Sequence, residues 1–220
     1  MNSKEKIIKF SVLAILFLLP LVAYMFFASG VDNFLRLPIL TESVSEINTL
    51  PTLDGSSVSF KGHITVLGFY GDDVEGSRAN AFNLAHKIYK KNYQFKDFQV
   101  VMLAAEGKEE EVRSLKKKLG EIENPENWRF VFAPAEAIAE VFYSLDSSYS
   151  LSDDFSSPYV FIIDKDGHLR GRNKEDKDGE LFGFDASNYS EINNKMGDDI
   201  KVVLAEYRLA LKKNDRHREI

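Results

Sequence analysis

Three acidic residues lie close together in the stretch "YGDDVEGS", residues 70–77, and could form a metal-binding or acid/base site. Asp72, Asp73 and Glu75 lie where an apolar run gives way to a helical pattern, and α/β proteins commonly bind ligands at such strand ends. Grouped carboxylates could hold a hard cation such as magnesium or calcium, or act as general acid and base. Acids also cap the free N–H groups of a helix start and offset its dipole, and we expect this structural role here.

Other residue types that could bind metals or attack substrates are few. The sequence contains no cysteine, which excludes disulfides, thiolate metal sites and thiol catalysis. The four histidines share no spacing typical of zinc ligands. They are His63, His86, His168 and His217. The stretch "DKDGHLRG" begins like a calcium loop, but a hairpin turn at its Asp-Gly pair explains it better. We therefore predict no metal site and no cofactor.

The charge balance is acidic, with 28 basic and 34 acidic residues and a formal net charge of -6. The first 30 residues hold three lysines and one glutamate, so the remainder carries 25 basic and 33 acidic residues. Proteins that bind nucleic acids neutralise backbone phosphates with clustered lysines and arginines. We therefore predict no nucleic-acid partner.

The N-terminus has the features of a membrane anchor. The run from Phe10 to Ala28 contains no charge, and three lysines precede it. A helix of this length spans most of the hydrocarbon core of a bilayer, and the lysines favour a cytoplasmic N-terminus. A signal peptide cleaved at Ala28-Ser29-Gly30 is the alternative, although the apolar core of signal peptides is usually shorter. We predict a retained single-pass anchor at residues 1–30, with the rest on the extracytoplasmic, periplasmic-type side.

Patterns of an α/β domain begin after a segment that lacks periodicity. Residues 31–56 contain Pro, Gly, Ser and Thr among scattered apolar residues, which predicts an extended connector. Short apolar runs at 63–70 and 98–105 predict buried strands. Apolar residues at helical spacing between 81 and 88 predict an amphipathic helix that joins them. This βαβ unit should have parallel strands.

The second half of the sequence predicts further helices, one more strand and a hairpin. These are a helix at 109–119, a strand at 128–133, a helix opened by Pro134, a hairpin at 158–172 and a final helix around 200–211. The Asp-Gly pair between two apolar runs indicates the hairpin. A βαβ unit followed by a hairpin and a C-terminal helix is the order of the thioredoxin fold, so we predict a thioredoxin-like α/β fold.

Four stretches of the sequence resemble the Sco/SenC family of membrane-anchored, thioredoxin-like proteins. They are "LPTLDGSSVSFKGHITVLGFYG", "FQVVMLAAEG", "NWRFVFAPAEAIAEVF" and "PYVFIIDKDGHLRG". The N-terminal anchor and the short connector match this family as well. We therefore predict a thioredoxin-like domain at residues 57–213 and a charged tail at 214–220. The resemblance implies a link to copper delivery for cytochrome oxidase assembly.

The ligands with which that family binds copper are absent here. The resemblance places the cysteines of its Cys-x-x-x-Cys motif at Asp72 and Gly76 or, in a second alignment, at Asp73 and Ser77. Its histidine falls on Ser156. Copper(I) prefers soft thiolates and imidazoles, whereas carboxylates and hydroxyls are hard ligands. Dithiol exchange also needs a thiolate. The sequence therefore excludes copper delivery through this site and thiol redox catalysis.

Pro158 precedes the predicted hairpin, where thioredoxin-like proteins often have a cis-proline. We predict a cis peptide between Ser157 and Pro158, beside a groove for an extended peptide partner. The leading functional hypothesis is a membrane-anchored protein that acts by binding rather than as an enzyme. It would be an accessory or assembly factor of cytochrome oxidase, another respiratory complex or another envelope complex. The alternatives are a hard-metal or acid/base site on Asp72, Asp73 and Glu75, and a passive spacer.

Overall fold

The computed structural model describes the backbone of residues 3–28, 36–175 and 179–218, and the side chains of residues 9–25, 36–174 and 179–208. The chain divides into two compact units, Met1–Leu35 and Arg36–Ile220. Each unit is described by itself below.

The first unit contains helix α1, Ser3–Ala28, with Pro20 inside it. Large apolar side chains between Phe10 and Met25 are exposed. No helix within the described residues is both long and apolar enough to cross a membrane. The predicted transmembrane anchor is therefore not confirmed and stays a prediction.

The second unit is an α/β domain. Its strands are β1 (Ile39–Thr41), β2 (Ile64–Gly71), β3 (Phe98–Ala105), β4 (Trp128–Ala133), β5 (Ser157–Ile163), β6 (Leu169–Arg170), β7 (Arg172–Glu175), β8 (Gly179–Leu181) and β9 (Phe184–Asp185). Its α-helices are α2 (Arg78–Leu84), α3 (Lys90–Asn92), α4 (Glu109–Leu119), α5 (Ala135–Tyr143) and α6 (Gly197–Arg218). Two π-helical segments, Ala85–Tyr89 and Glu191–Met196, precede α3 and α6. Helix α6 therefore continues into the predicted charged tail.

The central sheet has the strand order β1-β6-β5-β2-β3-β4, and β9 also pairs with β5. Strand β3 pairs with β2 and with β4 in parallel. Strand β5 pairs with β2 and with β6 in the antiparallel sense. The predicted βαβ unit and hairpin are therefore confirmed. Strands β7 and β8 form a separate two-stranded sheet that the sequence patterns did not predict.

Helices cover both faces of the sheet. Successive side chains along a strand point to opposite faces, so neighbouring residues pack against different helices. Val66 belongs to the apolar cluster formed with α2, α4 and α6. Its neighbour Leu67 belongs to the cluster formed with α5. Aromatic residues occupy the second cluster densely: the Phe69 and Phe142 rings meet edge to face with centroids 5.1 Å apart. The result is a helix–sheet–helix arrangement of the thioredoxin-like type.

Residues 36–56 are part of this folded unit, which corrects the prediction of an extended connector. Strand β1 pairs with β6 at one edge of the sheet. Thr52 bridges Val131 at the opposite edge. Between these points Val44 and Ile47 are buried against the α5 face. Because their partners lie far away in the sequence, these scattered apolar residues gave no periodic pattern.

Candidate functional site

The acidic bend, residues 71–77, connects β2 to α2 and forms a tight turn. Helix α2 begins only at Arg78, and Ser77 precedes it without a capping bond from its side chain. Gly71 has a φ of +51°, and a Cβ there would lie 2.1 Å from the carbonyl oxygen of Asp154. Only glycine fits at this position, because the left-handed backbone and the close approach both exclude a side chain.

The three acids of the bend are exposed, and the bonds that they make are local. Asp73 Oδ1 accepts a hydrogen bond from the Gly76 amide at 2.9 Å. Glu75 forms an ion pair with Arg78 at 2.8 Å. Within the described residues, the oxygens of these acids do not form a group close enough to hold a metal. The hard-metal or acid/base alternative on Asp72, Asp73 and Glu75 is therefore not confirmed and stays a prediction.

The expected role of these acids at a helix start needs a correction. Helix α2 has no acidic residue in its first turn and starts after the acids have passed. Asp73 instead closes the turn that precedes the helix, where it binds the Gly76 amide. An acid three residues before a free amide can satisfy that amide without belonging to the helix.

The loop of residues 152–157 packs directly on the bend. The Asp72 amide donates a hydrogen bond to the carbonyl oxygen of Asp154 at 2.9 Å. Phe69, close to the end of β2, pairs with Ser157. The fold thus brings together the two segments on which the resemblance places the copper ligands.

Ser156 is bonded within this loop. Its hydroxyl donates to Asp154 Oδ1 at 2.7 Å, and its amide donates to the same oxygen at 3.0 Å. The hydrogen bond from the Ser156 hydroxyl has the largest effect and holds the pKa of Asp154 below its usual range. Burial opposes it, and the Ser156 amide lowers the pKa further by a smaller amount. Phe155, which lies between them, has a φ of 58° and lets the loop close on itself.

These positions do not fit copper. Asp72 offers a hard carboxylate, Gly76 offers no ligand atom, and the Ser156 hydroxyl is bonded to Asp154. A Cβ on Gly76 would also lie 1.9 Å from Asp73 Oδ2. Any side chain there would displace this carboxylate from the bond that closes the turn. The correspondence of Asp72, Gly76 and Ser156 to the family's ligands stays a prediction.

The cis-proline prediction is wrong: the described residues contain no cis peptide bond, so Ser157–Pro158 is trans. The chain reverses earlier, at Phe155 with its positive φ, and enters β5 already extended. The Pro158 carbonyl accepts a hydrogen bond from the Ala186 amide at 2.8 Å. Because β9 pairs with this part of β5, the predicted groove for an extended partner is not an open strand edge here.

A tighter group of potential metal ligands lies at the turn between β5 and β6. Ligand atoms of Asp164, Asp166 and His168 lie within 4.8 Å of one another. Asp164 is buried, and its Oδ1 accepts the amides of Asp166 and His168, both at 3.0 Å. Its Oδ2 accepts a bond from Arg170 Nη1 at 3.0 Å. Because a guanidinium already neutralises this carboxylate, the group is a hydrogen-bonded hairpin turn rather than a cation site.

Tyr70 is a buried polar residue that sequence reasoning missed. It ends the apolar part of β2, and its hydroxyl has no hydrogen-bond partner among the described residues. Burial raises the pKa of the Tyr70 phenol far above its usual range. The ring lies 6.4 Å from that of Phe130 in the α2 face of the core. Tyr70 therefore serves as a neutral packing residue.

Comparison with known proteins supports the fold. No family model matches the sequence, and no curated protein matches it. Among solved structures, a Sco/SenC family lipoprotein from Bacillus anthracis is similar, with a TM-score of 0.53 and 17% identity. That match covers 80% of this chain and 99% of the lipoprotein.

Two further structures show the same likeness. BsSco, a member of the Sco family of cytochrome c oxidase assembly proteins, has a TM-score of 0.51 and 13% identity, and the match covers 77% of this chain and 98% of BsSco. A candidate electron transfer protein from Aquifex aeolicus has a TM-score of 0.51 and 18% identity, and the match covers 74% and 97%. The second unit, which we call the globular unit from here on, therefore has the thioredoxin-like fold that the Sco/SenC structures share. It is built from a sequence without cysteine.

Proposed function

We propose that this protein acts by binding a protein partner in the cell envelope, as an accessory or assembly factor. One observation carries the proposal: the bend and loop that could carry chemistry in this fold are present and packed together, but the side chains of Asp73, Glu75 and Ser156 are tied into local bonds. Asp73 binds the Gly76 amide and Ser156 binds Asp154. A kept scaffold without reactive groups fits binding better than catalysis.

The nature of the partner is proposed from the structural likeness. BsSco is described as a member of a family of cytochrome c oxidase assembly proteins. We infer that the partner here is a respiratory complex such as cytochrome oxidase, or another envelope complex. The passive spacer is the competing reading, and it predicts that no specific partner contacts the globular unit.

Membrane attachment belongs to the same proposal. Its support is the uncharged run from Phe10 to Ala28 and the exposure of its large apolar side chains as far as Met25. The N-terminus would be cytoplasmic, with Arg36 and the residues after it outside. Since the sequence lacks cysteine, single cysteines introduced by Asn2→Cys or Tyr143→Cys allow a direct test with a membrane-impermeant maleimide. Intact cells should label only the Tyr143→Cys protein, and the reverse pattern would overturn the topology.

Copper(I) titration tests the non-catalytic part of the proposal. The wild-type protein should compete poorly for copper(I) against a chelating indicator. The triple variant Asp72→Cys, Gly76→Cys, Ser156→His supplies two thiolates and an imidazole at the matching positions and serves as the comparison. Tight one-to-one binding by the wild-type protein would refute the proposal. Tight binding by the triple variant alone would support the correspondence of these three positions.

Site-specific photo-crosslinking in membranes tests the binding part. A photoreactive residue at Asp72 reports on the bend, and one at Glu110 provides a matched exposed acid on α4. We expect a discrete cross-linked product from position 72 and none from position 110, with mass spectrometry identifying the partner. Absence of any product across exposed positions of the globular unit would favour the spacer.

A further inference from the structure

We propose that Arg170 and Glu206 form a lock that holds the first residues of the globular unit in place as a separately releasable element. We name residues 36–41 the leading strap and the two side chains the Arg170 lock. The proposal concerns the globular unit alone, so its failure would leave the proposed function unaffected.

The lock grips both backbone groups of one residue. The Leu37 amide donates to Glu206 Oε1 at 2.9 Å, and the Leu37 carbonyl accepts bonds from Arg170 Nε at 2.8 Å and from Arg170 Nη2. Arg170 Nη2 also pairs with Glu206 Oε2 at 2.7 Å, which closes the ring of contacts. The Arg170 and Glu206 side chains are only 6% and 14% exposed.

The lock is anchored on the far side as well. Arg170 Nη1 binds the buried carboxylate of Asp164, which organises the turn between β5 and β6. Tyr207, the residue after Glu206, donates its hydroxyl to Asp166 in the same turn at 2.9 Å. The strap is therefore held by a charged network built from β6, the turn and α6. Loss of one partner leaves another charge buried without its counterpart.

The rest of the strap is weakly attached. Strand β1 is three residues long, its register with β6 is irregular, and Ile39 is 49% exposed. Besides the pairing of β1 with β6, Gly171 donates its amide to the Pro38 carbonyl, and Thr41 Oγ1 donates to the Leu145 carbonyl. Opening of the strap would take the buried Leu37 side chain out of the core, whereas Val44, the next buried residue, would stay in place.

Release of the strap would uncover an edge of the central sheet. Strand β1 is the outermost strand on the side of β6. An uncovered edge presents unpaired backbone N–H and C=O groups that pair readily with other strands. The Arg170 lock thus decides whether this edge stays covered, because it fixes the backbone of Leu37, whose side chain is itself buried in the core.

Hydrogen exchange of the full-length protein in detergent tests the lock. In the Arg170→Lys variant the charge stays but the fork that spans Leu37 and Glu206 is lost. We expect peptides covering residues 37–41 to exchange at least ~10-fold faster, and peptides of β2 and β3 to change less than ~2-fold. Trypsin should also cut faster after the exposed Arg36.

Two further variants keep the result decisive. Glu206→Gln keeps an oxygen that can accept the bond from the Leu37 amide, but it removes the negative charge that pairs with Arg170. We expect the strap to loosen less in this variant than in Arg170→Lys. Arg172→Lys is the matched control, because Arg172 pairs with Asp199 on α6 at 2.9 Å outside the lock. The proposal fails if the strap does not loosen in the first two variants, if β2 and β3 loosen equally with it, or if Arg172→Lys loosens the strap as much.

Discussion

The acidic bend at residues 71–77 and the Arg170 lock both concentrate charge, but in opposite surroundings. In the bend, the side-chain bonds of Asp73 and Glu75 join residues three positions apart, and the acids face water. In the lock, Arg170 reaches Leu37 across 133 positions and Glu206 across 36, below the surface. Resemblance to a known family directs attention to the bend, whereas Arg170 and Glu206 are charges that lie below the surface and are costly to leave unpaired.

This difference sets the energetic scale of the two regions. Exposed ion pairs contribute about 0–1 kcal/mol, because water screens them and long side chains lose freedom. Removing one member of a buried pair costs about 3–5 kcal/mol, because its partner stays buried and unpaired. Changes in the lock should therefore affect stability far more than changes of charge in the bend.

The largest effect should come from Arg170→Met. This change removes the guanidinium and leaves Asp164 and Glu206 without their counter-charge, so the free energy of unfolding should fall by about 3–5 kcal/mol. Urea denaturation followed by circular dichroism measures it. The control is Arg129→Met, whose ion pair with Asp54 is partly exposed and should be worth less than about 1 kcal/mol. Equal losses of the free energy of unfolding in both variants would contradict the expectation that buried ion pairs contribute more than exposed ones.

In the bend, we expect a substitution that changes backbone geometry to lower the free energy of unfolding more than one that changes charge. Gly71→Ala introduces a Cβ at a φ of +51°, against the Asp154 carbonyl. We expect a loss of about 2–4 kcal/mol, because strain and a collision act together. Gly107→Ala is the matched control, since Gly107 has a φ of +89° with nothing within 4 Å of the added atom. Strain alone should cost it about 1–2 kcal/mol. Equal denaturation midpoints for Gly71→Ala and Gly107→Ala would show that the loop of residues 152–157 moves to make room for the added Cβ.

The elements predicted from the sequence are those whose signal is local. The βαβ unit followed from runs that carry their own periodicity, and the hairpin followed from one Asp-Gly pair. The leading strap gave no such signal, because Leu37 is fixed by Arg170 and Glu206 rather than by its neighbours. Contacts between such distant positions leave no pattern in a single sequence.

The correspondence of the bend and the loop to the copper-binding positions of the family stays a prediction. The packing of the bend on the loop agrees with the resemblance, as the bond from Asp72 to Asp154 shows. The cis peptide expected at Pro158 was wrong, since the described residues contain no cis peptide bond, and Phe155 has a positive φ that the sequence did not predict. Resemblance carried over the general layout, whereas local turn geometry depended on residues specific to this chain.

A smaller effect distinguishes two neighbouring acids of the bend. Asp73→Ala removes the acceptor of the Gly76 amide and should lower the free energy of unfolding by about 1 kcal/mol. Asp72→Ala should have an effect within about 0.5 kcal/mol, because the bond from Asp72 to the loop uses its backbone amide. Urea midpoints of the two variants give the comparison. A larger loss for Asp72→Ala would point to a role for its carboxylate that the structure does not show.

The smallest effect concerns the acid dependence of the loop. Ser156→Ala removes the hydroxyl that contributes most to the lowered pKa of Asp154, so this pKa should rise towards the ordinary aspartate value. A carboxyl with a lowered pKa stabilises the fold above the ordinary value of about 4, and this contribution is lost as the pH falls through the folded-state pKa. The wild-type protein should therefore lose more stability than the variant on acidification below about pH 4. Carboxyl carbon shifts in NMR titrations measure the pKa directly. Ser152→Ala is the control, since Ser152 bonds in this loop through its backbone. An equal rise of the Asp154 pKa in this variant would show that the Ser156 hydroxyl is not what lowers it.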